Sequence, residues 1–209
     1  LHRWVVNRHE PILHFIFYTG PKALLIMLGI FCVLIGLLSL KDPLYKIYRR
    51  NCLLLCLSLI LVPLAISGLK KATHVYTPEK TIRYGGKVPY IKVLEKYPAD
   101  VKPQKPGRGW PAGHASGGFS LMMLYFIFNK RSNKILGLLL GLAAGWTMGL
   151  YQTLNGQHYL SHSIVSMQIS WIIILLIYTG VHRMDLFAQI PEPVDIQTAL
   201  LETSSKNRM

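Results

Sequence analysis

The chain has 209 residues, of which 51% are hydrophobic and only 15% charged. A soluble domain carries about 25% charge and a disordered chain is polar, so neither class fits. The formal net charge of +14 sits between long uncharged runs, which points to anionic lipid or phosphate at a membrane surface rather than to nucleic acid.

The sequence opens on Leu1 rather than Met, and an upstream segment is expected. Pro11–Tyr18 is apolar but too short to span, and is expected to lie in the interface or to pack under a helix. A bilayer core of about 30 Å takes about 20 apolar helical residues to cross. Five runs without Lys, Arg, Asp or Glu approach that length: Ala23–Leu40, Asn51–Leu69, Gly109–Asn129, Ile135–Leu154 and Ser163–Val181. Backbone amides in hydrocarbon must bond internally, so these runs predict helices. The fold class is therefore all-α, a polytopic membrane bundle with five spanning helices and a sixth expected upstream.

Pro63 should bend the second helix, a neighbour satisfying the freed carbonyl. In Ile135–Leu154, Gly137, Gly141, Gly145 and Gly149 recur every four residues and share one face. Such a face admits a closely packed neighbour, and this helix is expected to be central. Cys32, Cys52 and Cys56 all lie in apolar runs and read as small packing residues, not as a disulfide framework.

The short loops Lys41–Arg50 and Lys130–Lys134 are basic, and the positive-inside rule makes them cytoplasmic. The long loop on the other side, 70–112, carries ten Lys or Arg against Glu79, Glu95 and Asp100. By count it conflicts with that assignment, but long loops obey the rule poorly. Its cations suit a multiply anionic ligand. Residues 1–181 form one membrane domain containing this loop. The polar tail 182–209 is expected to be cytoplasmic and partly helical near Asp195–Glu202.

Three polar clusters fall on one side of the membrane. Lys70-Lys71-Ala72-Thr73-His74-Val75-Tyr76-Thr77-Pro78 leaves the second helix. Gly109-Trp110-Pro111-Ala112-Gly113-His114-Ala115-Ser116-Gly117-Gly118 opens the next, where free amides suit an anion and His114 could protonate a leaving oxygen. Asn155-Gly156-Gln157-His158-Tyr159-Leu160-Ser161-His162 puts His158 and His162 four residues apart, on one helix face.

Together the clusters resemble the type-2 phosphatidic acid phosphatase family, whose pattern is Lys, six residues, Arg-Pro; Pro-Ser-Gly-His; and Ser-Arg, five residues, His, three residues, Asp. Order, membrane side and intervening helices match over roughly residues 23 to 181. Lys70 and Pro78 match the first part, with Thr77 in place of Arg. Pro111, Gly113 and His114 match the second, with Ala112 in place of Ser. His158 stands at the nucleophile position, Tyr151 and Gln152 replace Ser-Arg, and His162 replaces Asp. This describes a divergent bacterial-type branch.

The resemblance implies that His158 attacks phosphorus to form a phosphohistidine, and that His114 protonates the leaving oxygen and later activates water. Lys70 and amides near Gly113 would hold the equatorial oxygens, with one hydrogen bond from Gln152. His162 could orient His158 but supplies no negative charge. No cofactor or metal is needed. The implied function is an integral-membrane phosphatase acting on a lipid phosphate or diphosphate in the bilayer. The implied location is a bacterial inner membrane, with the site facing the periplasm. Protein partners are not indicated by any residue pattern.

Three other readings share these residues. The same intermediate would serve a phosphoryl transferase between lipids. His158, His162 and His114 could hold zinc in a metal-dependent hydrolase, with His74 the only other candidate ligand close by. The lost arginines and carboxylate would also suit a non-catalytic protein that binds or transports lipid phosphates.

Overall fold

The computed structural model describes residues 10–41, 43–95, 97–98 and 106–183. These are mostly helical, with an isolated Thr81–Val88 bridge as the one extended pairing among them. Four helices are long and apolar enough to cross a membrane.

The first, α1 (Pro11–Lys41), is α-helical at Pro11–His14 and Gly20–Lys41, with a π-helical turn at Phe15–Thr19 between them. The apolar stretch before Ala23 is thus continuous with the span. Only Cys32 and Ser39 of Gly20–Lys41 are buried. Leu24, Met27, Phe31, Leu34 and Leu37 point outward. A helix apolar all round with so little protein contact is one that faces lipid.

Helix α2 (Lys46–Thr73) continues through Pro63 and ends at His74, whose left-handed backbone (φ 53) terminates it. Cys56 Sγ donates weakly to the Gly29 carbonyl of α1 at 3.7 Å, and all three cysteines are free thiols.

The run Gly109–Asn129 is helical over 113–127, fewer residues than in each of the four long helices. It comprises α3 (Gly113–Phe119), a 3-10 segment (Ser120–Met123) and α4 (Leu124–Ile127), each following the last without a gap. Ser116 and Ser120 donate to the carbonyls three residues back, Gly113 and Gly117. Ser58 of α2 donates to the Ser120 carbonyl at 2.8 Å, tying this stretch to α2.

Helix α5 (Arg131–Leu154) buries all four glycines. A Cβ on Gly141 would meet the backbone of Leu121 and Met122, and one on Gly145 would lie 2.1 Å from the Phe119 ring. The glycine face therefore packs as expected, and its partner is the helical stretch 113–127. The expectation that α5 is central fails on its other face, where Leu136, Leu139, Leu140 and Leu150 are exposed. The centre is α3 with the 3-10 segment: Ala115, Phe119, Met122 and Met123 are almost wholly buried.

Helix α6 (Leu160–Arg183) buries Ser163, Ser166 and Ser170 against the bundle, small polar residues of the kind that permit close helix approach. At its far end His182 Nδ1 lies 3.4 Å from Arg50 Nη2, near the start of α2. The opposite ends of these helices, carrying Lys70 and His162, therefore share the other pole. The expected helix near Asp195–Glu202 lies outside the described residues.

Candidate active site

The three polar clusters meet at that pole through hydrogen bonds. Thr73, in the last turn of α2, donates from Oγ1 to the Trp110 carbonyl at 2.9 Å. The Gly109 N–H donates to the Val75 carbonyl, and the Ala112 N–H to the His162 carbonyl at 3.3 Å. The Glu79 N–H donates to the Gly156 carbonyl at 3.1 Å, fastening the long loop onto the α5–α6 connection. Gly156 itself sits at φ 73, the left-handed conformation that a tight turn into α6 requires.

One backbone atom organises the histidines. His158 Nδ1 lies 2.7 Å and His162 Nδ1 2.9 Å from the Gly109 carbonyl oxygen. A carbonyl only accepts, so both Nδ1 atoms carry the proton and both Nε2 atoms carry a free lone pair. The expected partnership in which His162 orients His158 is replaced by a shared acceptor. Gly109 is a site residue that motif matching passed over. Its Cβ would fall 2.5 Å from the Tyr76 carbonyl group, so only glycine fits there.

His158 is 3% exposed. Burial holds its imidazole well below the ordinary value of 6.5, and Lys70, His162 and His114 oppose its protonation further. It is a neutral base. Its ring centroid lies 6.2 Å from that of His114, whose ring packs 4.7 Å from Tyr18 of the π-helical turn. Phe17 in the same turn stacks on Tyr151 at 5.5 Å. The start of α1 therefore covers the site.

Lys70 reaches the first residue of α3: a Cβ on Gly113 would stand 3.1 Å from its Nζ. Lys70, Gly113, His114 and Lys22 line one end of a groove of about 710 Å³. From there the groove runs between α1 and α2 along Leu25, Ile30, Val33, Leu59 and Pro63, residues that are almost all apolar. A second cavity, about 310 Å³, is lined by His14, Tyr18, His114, Tyr151, Gln152, Asn155 and Gln157. Lys70 and Gln152 thus flank His114 from different cavities. His158 and His162 line neither and are buried beneath. Among the described residues no three His, Cys, Asp or Glu side chains are grouped to hold a metal ion.

Residues 51–185 match the family model for the PAP2 superfamily. The chain belongs to the PAP2 superfamily. The match spans all three clusters, and the motif resemblance is to the same family. PAP2 membership supports hydrolysis of phosphate esters, and the four long apolar helices make this a membrane protein of that family. No match was found among curated proteins or among solved structures.

The departures from the PAP2 pattern have structural consequences here. Where the family pattern has Asp this chain has His162, and the Nδ1–H of His158 meets the Gly109 carbonyl. Where the family has an arginine, Gln152 is 5% exposed and lines the smaller cavity.

Proposed function

We propose that this PAP2 protein is an integral-membrane lipid phosphatase that removes phosphate from a lipid phosphate or diphosphate through a phosphohistidine at His158. The observation that carries the lipid assignment is the apolar groove between α1 and α2, which ends at Lys70, Gly113 and His114. A groove of that shape suits an acyl or prenyl chain whose phosphate stops at two ammonium groups and a helix start.

On this reading His158 attacks phosphorus with Nε2 while the Gly109 carbonyl keeps its Nδ1–H in place. The cation formed on phosphorylation shares that proton with a carbonyl dipole instead of a carboxylate. His114 gives its proton to the departing lipid oxygen, and then accepts one from water as the P–N bond is cleaved. Lys70 and the amides at the start of α3 hold the equatorial oxygens, where charge stabilisation contributes most. Gln152 offers an amide from the other side of His114. His162 keeps the Gly109 oxygen doubly bonded and fixed in direction. The site faces the periplasm in a bacterial inner membrane, following the basic short loops at the opposite pole.

The test is phosphate release from phosphatidic acid, phosphatidylglycerol phosphate and polyprenyl diphosphate. Wild type and His158→Ala would be compared, each with chelator and with vanadate. Release that vanadate blocks, chelator spares and His158→Ala abolishes supports this function. Chelator-sensitive release would replace it with a metal-dependent hydrolase, and binding without release would leave a lipid-phosphate carrier.

A further inference from the structure

The smaller cavity has an unusual polar economy. Six buried side-chain N or O atoms among the described residues lack a hydrogen-bond partner, and four belong to residues lining this one cavity: Tyr151 Oη, Asn155 Oδ1, Gln157 Nε2 and His114 Nδ1. Tyr151 and Asn155 are 5% and 3% exposed, so bulk water does not satisfy them. Buried polar groups are rarely left unpaired, and each one costs stability unless something binds it. At about 310 Å³ the cavity is far larger than a single water and at the lower end of small-molecule sites.

Its chemistry differs from that of the groove. No Lys, Arg, Asp or Glu lines it. Its side chains offer two phenols, three amides and two imidazoles. Such a wall recognises hydroxyl groups, which both donate and accept, rather than a phosphate, which needs cations. Lys22 and Lys70 lie on the groove side of His114, and His114 alone borders both spaces.

We propose that this cavity binds a neutral polyhydroxylated group, a polyol or sugar, and presents one of its hydroxyls to His114 as acceptor of the phosphoryl group. The acceptor role rests on the phosphohistidine reading, whereas the binding site does not. The step balances. The acceptor oxygen forms the new P–O bond as the P–Nε2 bond to His158 breaks. The hydroxyl proton passes to neutral His114, and His158 returns as the neutral Nδ1–H imidazole. The product is a polyol phosphate in place of inorganic phosphate.

Saturation-transfer NMR of glycerol, myo-inositol and glucose tests binding, using the full chain in nanodiscs with His158→Ala so that turnover plays no part. Polyol signals should be saturated, and should fall several-fold in Tyr151→Phe/His158→Ala, which removes a single oxygen and leaves the fold to be checked by thermal melting. No transfer to any of the three, or transfer unchanged by Tyr151→Phe, would overturn the site. Phosphorus NMR of wild type turning over phosphatidic acid with each polyol tests the acceptor role. A polyol phosphate is expected, its ratio to inorganic phosphate falling several-fold in Tyr151→Phe. Inorganic phosphate alone, from a protein that binds the polyol, overturns the acceptor role. Polyol binding with no turnover of any lipid phosphate overturns the phosphatase reading and leaves the binding site standing.

Discussion

The imidazole of His158 donates from Nδ1 to the carbonyl oxygen of Gly109 at 2.7 Å, across 49 residues of sequence. That oxygen is fixed from both sides. Gly109 is bonded to Val75 and lies too close to Tyr76 to carry a side chain. Gly109→Ala must therefore shift the segment and move the acceptor of two imidazoles. Misplacing a reacting group by about 1 Å costs on the order of 100-fold in rate. We expect kcat for phosphate release to fall roughly 10- to 100-fold, more than KM changes. Steady-state kinetics on the variant checks this, and wild-type kcat would refute the role given to the carbonyl.

Protonation of His158 should show in the pH profile. Its pKa is held down first by burial and then by Lys70. A protonated imidazole is no nucleophile, so the acid limb of kcat/KM should lie below the ordinary histidine value of 6.5. Lys70→Met should move that limb toward higher pH while raising KM for the phosphate. Stability carries the same sign. The unfolded chain binds this proton more readily than the folded one, so stability is full above 6.5 and declines as pH falls toward the folded value. Melting temperature against pH should therefore be flatter in His158→Ala than in wild type over that window.

The glycine face offers a packing test. A side chain at Gly145 enters the Phe119 ring, whereas Gly180 has nothing within 4 Å of its would-be Cβ. Overpacking costs about 1–3 kcal/mol and more when backbone must move. Gly145→Leu should lose most of its folded yield in detergent, and Gly180→Leu should melt within a few degrees of wild type. Equal thermal shifts would contradict the helix contact.

The groove predicts chain-length dependence. Val33 lines it from α1. Val33→Trp should lower kcat/KM for a long-chain lipid phosphate by about tenfold or more, since a blocked apolar pocket loses the transfer energy of several buried methylenes. A short-chain soluble phosphate ester should be cleaved at the wild-type rate. Equal effects on both substrates would separate the groove from substrate binding.

Much of this protein is legible in one dimension because a bilayer imposes simple rules. Uncharged runs near twenty residues must be helices, and all five carry them, four long enough to cross a membrane. Glycines at every fourth position must share a face, and that face is buried. Lys70, Gly113 and His114, read from motif order alone, line one groove end. The 3-10 segment Ser120–Met123 escaped this reading because its run is as uncharged as the others. Ser58 of α2 donates to the Ser120 carbonyl there, a contact no spacing in the sequence announces. Composition and spacing determined the class, the poles and the candidate histidines. Only the tertiary structure decided what orients them, because the acceptor is a main-chain oxygen that every residue possesses. Its identity depends on where Gly109 is held against Val75 and Tyr76.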